Sequence, residues 1–365
     1  MARSSPFGKE SRVRILKQHF QQSGQVTAQT AWKFVYEELL WADGSTGLAH
    51  LYESDKAQPG KPWYRRTALF TDLLCQQFGN ITQEELKQRI DRLFRACLQK
   101  LIETAKLEAS ESDFAETLAV LQETPQSILE SGSLPLASDV DAVKSIYEPD
   151  SELVAEFSEL LTQRVNLPQP EIESLARRLV ARARLYFTVE RKRQNVLGEG
   201  FEDLLQLLLT EVGKLSAEYI HLRTRADKLP GFSKLSTTRG RNESPDIAIV
   251  KDDTTRLLAT VKWSLRHDRQ KQLSDELDCY VDLLSQPTFP TYILVTNEYD
   301  PGRLINTDGL NRRGQKIDCI YHINLELLFA VLDDHASTKR LEHLVDVGRL
   351  KSLEDLFPDF MRIIQ

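Results

Sequence analysis

Residues Asn242 to Asp278 have the sequence NESPDIAIVKDDTTRLLATVKWSLRHDRQKQLSDELD, which carries the main signals for a β-sheet core. It contains two apolar runs of strand length, Ile247–Val250 and Leu257–Trp263, which a short polar turn separates. Two such runs favour an antiparallel hairpin, in which the start of the first strand lies beside the end of the second. The pattern therefore predicts that the carboxylate of Asp246 lies near the ammonium group of Lys262.

Further strands and helices surround this hairpin in the sequence. The other runs of strand length are Tyr219–Leu222, Tyr292–Thr296 and Ile317–Ile323, and the neighbouring helical segments are Glu202–Ser216 and Gln270–Leu284. The order is helix, three strands, helix, two strands, which predicts an α/β core with a mixed five-stranded sheet flanked by helices over residues 191–365. The C-terminal stretch Ser337–Gln365 has the apolar spacing of a helix.

The first 190 residues carry apolar side chains at three- and four-residue spacing, which is typical of helices. The predicted helices are Ala31–Trp41, Trp63–Gln77, Glu84–Glu108, Asp113–Glu123, Ser151–Gln163 and Gln169–Tyr186, and the stretch Thr124–Pro149 is richer in Ser, Pro and Gly. Thr82 and Glu85 form a predicted capping box. We therefore predict an all-α N-terminal domain over residues 1–190, although Arg177–Arg193 could be one continuous helix that connects the two domains.

Composition and charge argue against several classes of protein. The 365 residues carry a formal net charge of −7, which does not suit a protein that coats nucleic acid non-specifically. From His221 to Gln272, however, twelve Lys and Arg face six Asp and Glu, a local balance of +6 that indicates either a focused polyanion site or a solvated, salt-bridged surface. No apolar run reaches the roughly 18 residues of a membrane span, and the N-terminus lacks the apolar stretch of a signal peptide. We expect a cytoplasmic protein with no membrane partner.

A carboxylate beside an ammonium group at two strand ends suits phosphodiester hydrolysis. The carboxylate can hold a divalent metal ion against a phosphate oxygen, and the lysine can orient the attacking water. The four cysteines and seven histidines show no metal-ligand spacing, so oxygen ligands are expected. One carboxylate seldom holds Mg²⁺ firmly. The residue two before Lys262 is Thr260, which we expect to pack as an ordinary β-branched strand residue, so the second carboxylate is expected from Glu276 in the following helix.

These residues resemble the PD-(D/E)xK nuclease superfamily, and within it the type II restriction endonucleases that cut at CCGG. In that branch Ser or Thr replaces the acid before the lysine, and a glutamate fourteen residues after the lysine substitutes for it. The matching elements are Pro245-Asp246, Thr260-Val261-Lys262, Arg266-His267-Asp268-Arg269 and Glu276, which is fourteen residues after Lys262. The resemblance covers about Val196–Leu325, and it implies a restriction-endonuclease-like core.

The resemblance implies a Mg²⁺ ion held by Asp246 and Glu276, with the backbone carbonyl of Val261 as a third ligand. Lys262 would position or activate the attacking water. The family also places a glutamate on the helix before the first strand. Glu199 and Glu202 are the candidates, and we favour Glu202 because it stands at the start of the helix proper. No nucleotide cofactor is expected.

The resemblance also implies residues that bind duplex DNA. Arg266 and Arg269 would each donate two hydrogen bonds to a guanine, and Asp268 would accept from cytosine, which suits the C·G pairs of a CCGG core. A homodimer or higher symmetric oligomer would read the palindrome and cleave it to leave 5′ overhangs. The resemblance does not cover the N-terminal domain, whose size without an enzymatic motif predicts instead that it supplies subunit contacts or clamps the DNA. Contacts to the DNA backbone are expected from Lys234, Arg239 and Arg241.

Other interpretations stay open at this point. Taken singly, Asp246 could cap a turn, Glu276 could lie on a solvated helix surface, and Arg266 could belong to a salt-bridged helix start. The same core could serve a structure-specific or repair nuclease, but such an enzyme needs no base-reading Arg-x-Asp-Arg element. A catalytically inactive DNA-binding protein is a third possibility, against which the complete set of Asp, Lys and Glu argues.

Overall fold

The N-terminal part of the chain is mostly helical, but two short paired strands correct the prediction that it is all-α. The computed structural model describes residues 5–43, 46–51, 58–109, 151–163, 167–233, 243–333 and 336–364. Its first helices are α1 (Lys9–Gln22), α2 (Ala31–Leu39), α3 (Pro62–Gln77), α4 (Gln83–Arg89) and α5 (Arg92–Ala109), with the short antiparallel strands β1 (Ala42–Asp43) and β2 (Leu48–Ala49) between α2 and α3. The predicted helix Asp113–Glu123 and the stretch Thr124–Pro149 lie outside the described residues.

The predicted capping box is confirmed at the start of α4. The Thr82 hydroxyl accepts the backbone N–H of Glu85 at 3.2 Å, and the Glu85 carboxylate accepts the backbone N–H of Thr82 at 2.7 Å. The prediction of one helix over Glu84–Glu108 is wrong, because α4 ends at Arg89 and α5 begins at Arg92. Asp91 between them adopts the left-handed backbone conformation, with φ 62°, which a continuous right-handed helix cannot contain.

Two helices lead into the sheet, α6 (Ser151–Thr162) and the 43-residue α7 (Gln169–Glu211). The segments predicted as separate helices at Gln169–Tyr186 and Glu202–Ser216 therefore belong mainly to one helix. A small buried cluster of Val154, Ala176 and Val180 holds the N-terminal part of α7 against α6. The predicted domain boundary at residue 190 falls inside α7, and the division into two domains stays a prediction.

A six-stranded mixed sheet flanked by helices forms the centre of the C-terminal half, which is therefore α/β. The remaining elements are β3 (Ile220–Leu222), β4 (Ile247–Lys251), β5 (Thr254–Lys262), α8 (His267–Leu283), β6 (Thr291–Thr296), α9 (Pro301–Asp308), β7 (Asn311–Arg312), β8 (Gln315–Lys316), β9 (Cys319–His322), α10 (Leu325–Val331), α11 (Ala336–Asp346), β10 (Leu350–Ser352) and α12 (Leu353–Ile364). The order across the sheet is β10-β9-β6-β5-β4-β3. Strands β3, β4 and β5 are antiparallel, whereas β5, β6, β9 and β10 are parallel.

The sixth strand corrects the prediction of a five-stranded sheet and of a helix over Ser337–Gln365. Gly348, with φ 72°, adopts a left-handed conformation that ends the preceding helical segment. Leu350 is then buried and pairs with Ile320 of β9, so the chain joins the parallel side of the sheet before it returns to helix in α12.

The N-terminal helices and the sheet share one buried core. Phe34 of α2, Phe70 of α3 and Phe201 of α7 belong to the same cluster of buried side chains as the inner residues of the sheet. Tyr36 of α2 is fully buried, and its hydroxyl lies 2.8 Å from the Oδ1 atom of Asn297, just after β6. The α2 and α7 helices therefore pack where β5 and β6 end.

We expect the buried His322 of β9 to make the protein less stable at acidic pH. The His322 ring lies 3.0 Å from the Glu298 carbonyl through Nε2, and its Nδ1 accepts the Asn324 N–H at 3.1 Å, so the neutral ring has both partners that it needs. Burial lowers the pKa of His322 from 6.5 to about 4. Between these pH values the histidine is protonated in the unfolded chain but neutral in the folded chain. The contribution of His322 to the free energy of unfolding is therefore complete above pH 6.5 and is lost as the pH falls towards 4.

We expect this one group to remove about 3 kcal/mol from the free energy of unfolding between pH 6.5 and pH 4. Urea unfolding at several pH values measures it. His322→Gln should show a smaller loss over this range than the wild type. His343→Gln, at an exposed position of α11, serves as the matched control. Equal pH slopes for wild type and His322→Gln would contradict the prediction.

Candidate active site

Asp246 and Lys262 meet where the β4–β5 hairpin opens. Asp246 directly precedes β4, and Lys262 is the last residue of β5. The Lys262 Nζ atom donates to the Asp246 Oδ2 atom at 2.7 Å, and the same oxygen accepts the backbone N–H of Val261 at 2.7 Å. The predicted neighbourhood of Asp246 and Lys262 is thus present, and the backbone of β5 helps to fix the carboxylate.

Glu276 is buried beside this pair, on α8. Its side chain is held from two sides: Oε2 accepts the Thr260 hydroxyl at 3.0 Å, and Oε1 accepts the side-chain amide of Gln272 at 2.8 Å. The Tyr292 hydroxyl lies 2.9 Å from the Thr260 hydroxyl and 3.4 Å from Glu276 Oε2. A buried carboxylate needs such donors because burial removes the water molecules that would otherwise donate hydrogen bonds to it.

The hydroxyl of Thr260 has a role that was not predicted from the sequence, because it donates a hydrogen bond to Glu276. Its predicted role was simple packing, which its burial satisfies, but its Oγ1 atom also joins β5 to the carboxylate of Glu276. The sequence carries no charge at this position that would have revealed the contact. Gln272 and Tyr292 were missed for the same reason, because neither residue type indicates a metal or nuclease site.

The electrostatics of the site are dominated by buried carboxylates around one ammonium group. Burial raises the pKa of Glu276 to about 7; Lys262 counteracts this rise, and the negative charge of Asp246 adds to it. Burial alone would lower the pKa of Lys262, but the charges of Asp246 and Glu276 outweigh it and raise that pKa. Carboxylates that crowd together in this way favour the binding of a cation.

Glu202 of α7 is a further buried carboxylate whose charge interacts with that of Asp246. Burial and the charge of Asp246 raise the pKa of Glu202 to about 7, while its ion pair with Arg223 acts in the opposite direction. Glu202 lines the cleft above the strand ends. The carboxylate of the alternative candidate, Glu199, instead pairs with Arg12 of α1 at 2.7 Å. The geometry therefore favours Glu202 as the glutamate nearer to the site.

An ion-pair network supports Glu202 and was not predicted. Asp203, whose side chain is fully buried, accepts Arg12 Nε at 2.8 Å and Arg223 Nη2 at 3.2 Å. Arg223 also donates its backbone N–H to the carbonyl of Asp246 at 3.1 Å. Its φ of 49° is uncommon for a residue with a side chain. Arg223 thus connects α7 to the start of β4, and Asp203, which Arg223 shares with Arg12, connects α7 to α1.

Two of the three residues predicted to read DNA, Arg266 and Arg269, line a cleft of about 130 Å³ beside this site. Its lining comes from α7, from the end of β5 and from the segment that begins α8: Gln194, Leu197, Gly198, Glu202, Val261, Lys262, Trp263, Ser264, Arg266 and Arg269. Arg266 is the N-cap residue of α8. Its guanidinium lies 3.4 Å from Asp268, and both side chains are largely exposed.

The loop between β5 and α8 is held by two residues that follow β6. Glu298 is almost completely buried after β6, and its Oε2 atom accepts the backbone N–H of Leu265 at 2.6 Å. The backbone N–H of Asn297 donates to the Trp263 carbonyl at 3.1 Å. The start of α8, which carries Arg266, is therefore held to the same strand ends as Lys262.

A Mg²⁺ ion fits the chemistry of this donor set only if water and substrate complete it. Among the described residues, no cluster of three or more His, Cys, Asp or Glu side chains is arranged to hold a metal ion. Mg²⁺, however, commonly binds through one or two carboxylates together with waters and substrate phosphates. Asp246 and Glu276 supply two such carboxylates, and Val261 lines the cleft beside them.

Some predictions cannot be placed on this geometry. Lys234, Arg239 and Arg241, which were predicted to bind the DNA backbone, lie outside the described residues. Within the part of the chain that is described, no helix is long and apolar enough to cross a membrane. The sequence matches no protein-family model, and no curated protein sequence matches it either.

Proposed function

We propose that the protein is a Mg²⁺-dependent type II restriction endonuclease that hydrolyses duplex DNA at a CCGG-containing palindrome. The observation that carries the proposal is the 2.7 Å contact between Lys262 Nζ and Asp246 Oδ2 at the ends of two adjacent strands, with buried Glu276 close by. An antiparallel β3–β4–β5 unit continued by parallel strands supports the restriction-endonuclease-like core that the sequence resemblance implies.

Different residues of this chain would bind the metal ion and orient the attacking water. When bound, Mg²⁺ would supply a Lewis acid beside the phosphate. Asp246 and Glu276 would hold the ion, with the Val261 carbonyl as a further oxygen ligand. Lys262 would orient the attacking water and stabilise negative charge that develops on the phosphate. Glu202 would stand on the α7 side of the cleft, where Arg223 holds its carboxylate.

Base recognition would come from the first turn of α8. Arginine matches the O6 and N7 acceptors of guanine, and aspartate matches the amino group of cytosine. Arg266, Asp268 and Arg269 begin the helix that also carries Glu276, so recognition and catalysis share one short segment. Two symmetric copies of the chain would read the two halves of the palindrome, with the helical N-terminal part as a contact between copies or a clamp on the DNA.

Incubation of the protein with a sequenced plasmid and Mg²⁺ tests the function. We expect discrete fragments whose mapped ends share a CCGG core and carry 5′ overhangs. Cuts at junctions or lesions, independent of sequence, would instead indicate a structure-specific nuclease. Binding without cleavage would indicate an inactive DNA-binding protein.

The assignment of the base readers makes a separate prediction. Arg266→Ala and Arg269→Ala should each lose about 1–3 kcal/mol of discrimination between a CCGG duplex and duplexes with one base changed. A competition binding series in Ca²⁺, which often supports binding without chemistry, measures it. Arg256→Ala, at the exposed opposite end of β5, is the control and should discriminate normally. If both variants lose affinity equally for every duplex, the two arginines contact phosphates, and the CCGG assignment fails.

A further inference from the structure

A chain of hydrogen bonds along α8 joins a predicted base reader to a predicted metal ligand. Arg269 Nη1 donates to Gln272 Oε1 at 3.2 Å, and Gln272 Nε2 donates to Glu276 Oε1 at 2.8 Å. The three residues are spaced by three and four positions, so they lie on one face of the helix. The contact therefore runs from the cleft rim, where Arg269 lies, to the buried carboxylate.

The orientation of the Gln272 amide follows from its two neighbours. Arginine can only donate hydrogen bonds, so it needs the acceptor oxygen of Gln272. The amide oxygen of Gln272 must then face Arg269, and its nitrogen must face Glu276. A flipped amide would break both contacts at once. Arg269 and Glu276 are therefore coupled through the rotation of a single side chain, that of Gln272.

Each oxygen of Glu276 has its own support. The sheet holds Oε2 through Thr260 and Tyr292, whereas Gln272 holds Oε1 from within α8. Loss of the Gln272 contact would leave only Oε2 held, so the plane of the carboxylate could turn more freely about the Cγ–Cδ bond. Partners that orient a metal ligand in this way commonly change metal affinity or activity by about 10–100-fold when they are removed.

We propose that Gln272 is a positioning residue that makes metal binding by Glu276 depend on base recognition by Arg269. This inference rests on the proposed function. Arginine carries five N–H donors, so Arg269 can donate two hydrogen bonds to a guanine and still hold Gln272. A guanine that fixes Arg269 thereby fixes Gln272 and the plane of the Glu276 carboxylate. At a wrong base Arg269 is not held by the DNA, and only the contacts to Oε2 then fix the Glu276 carboxylate.

The variant Gln272→Met tests the inference, because methionine keeps the size of the side chain and removes both hydrogen bonds. Gln270→Met is the matched control: Gln270 lies on the same helix, but its amide donates to the Arg303 carbonyl at 3.1 Å. Single-turnover cleavage of a saturating CCGG duplex is measured over a range of Mg²⁺ concentrations. The same series uses a duplex with one guanine replaced, and Ca²⁺-supported binding is measured beside it.

We expect Gln272→Met to bind the CCGG duplex normally in Ca²⁺ but to cleave it about 10–100-fold more slowly, with the Mg²⁺ midpoint moved to higher concentration. The preference for CCGG in the cleavage step should also fall. In the double variant with Arg269→Ala, Gln272→Met should add little to the Mg²⁺ shift, because the effects of substitutions at residues linked by hydrogen bonds are not additive. Gln270→Met should behave as the wild type.

Two results would overturn the inference while leaving the proposed function intact. One is cleavage by Gln272→Met at the wild-type rate and Mg²⁺ midpoint. The other is a Mg²⁺ shift that adds fully to that of Arg269→Ala, which would make Gln272 a local support for α8. A wild-type protein that does not cut the CCGG duplex at all would instead remove the proposed function, and this inference with it.

Discussion

Lys262→Ala is expected to lower the rate of DNA cleavage by about 10³-fold or more, because it removes the ammonium group that lies 2.7 Å from Asp246. Asp246→Ala and Glu276→Ala should have effects of the same size, since each removes a proposed metal ligand. The measurement is single-turnover cleavage of a CCGG duplex in Mg²⁺. In Ca²⁺, Lys262→Ala should still shift that duplex in a gel.

The control for this experiment is a lysine of the same hairpin. Lys251 ends β4 at the opposite end of the sheet, where its Nζ atom donates to the carbonyl of Ile364 at 2.8 Å. Lys251→Ala should cut DNA at the wild-type rate. Normal cleavage by any one of the three site variants would show that the assigned site is wrong.

Tyr36→Ala is expected to destabilise the whole protein by about 3–5 kcal/mol, because it empties a fully buried position between α2 and the end of β6. Tyr36→Phe should cost about 1–3 kcal/mol, since it leaves Asn297 and Tyr299 without the hydroxyl that lies 2.8 and 2.9 Å from them. Urea unfolding followed by both fluorescence and circular dichroism measures the two losses.

The same experiment examines how the halves of the chain cooperate. Because the N-terminal helices and the sheet share one buried core, both probes should report a single transition that moves to lower urea in each variant. Tyr64→Phe, at a partly buried position of α3, is the control and should change little. Two separate transitions, only one of which responds to Tyr36, would show that the halves fold independently.

The local part of the site could be predicted from the sequence because it depends on short-range rules. Two apolar runs around a polar turn predict a hairpin, and a hairpin brings Asp246 to Lys262. Helical spacing after β5 then makes Glu276 a candidate. Each step involves residues that are close in the chain, where periodicity and turn chemistry are informative.

The non-local part could not be predicted. Tyr292 reaches Glu276 only because β6 pairs in parallel with β5, and a parallel register cannot be read from either strand alone. Arg12 and Arg223 meet at Asp203 through the packing of α1 on α7. Strand β10 is three residues long, and a run that short gives no periodicity that distinguishes it from a helix turn.

The placement of Asp246 and Lys262 on one hairpin has a consequence for the order of folding. Only sixteen positions separate them, so little loop-closure entropy is lost when they come together. Hairpins form within about 1–10 μs, much faster than most whole domains fold. The carboxylate and the ammonium group can therefore meet while the parallel side of the sheet is still unformed. Glu202 and Glu276 lie on α7 and α8, so they join this pair only when those helices pack against the sheet.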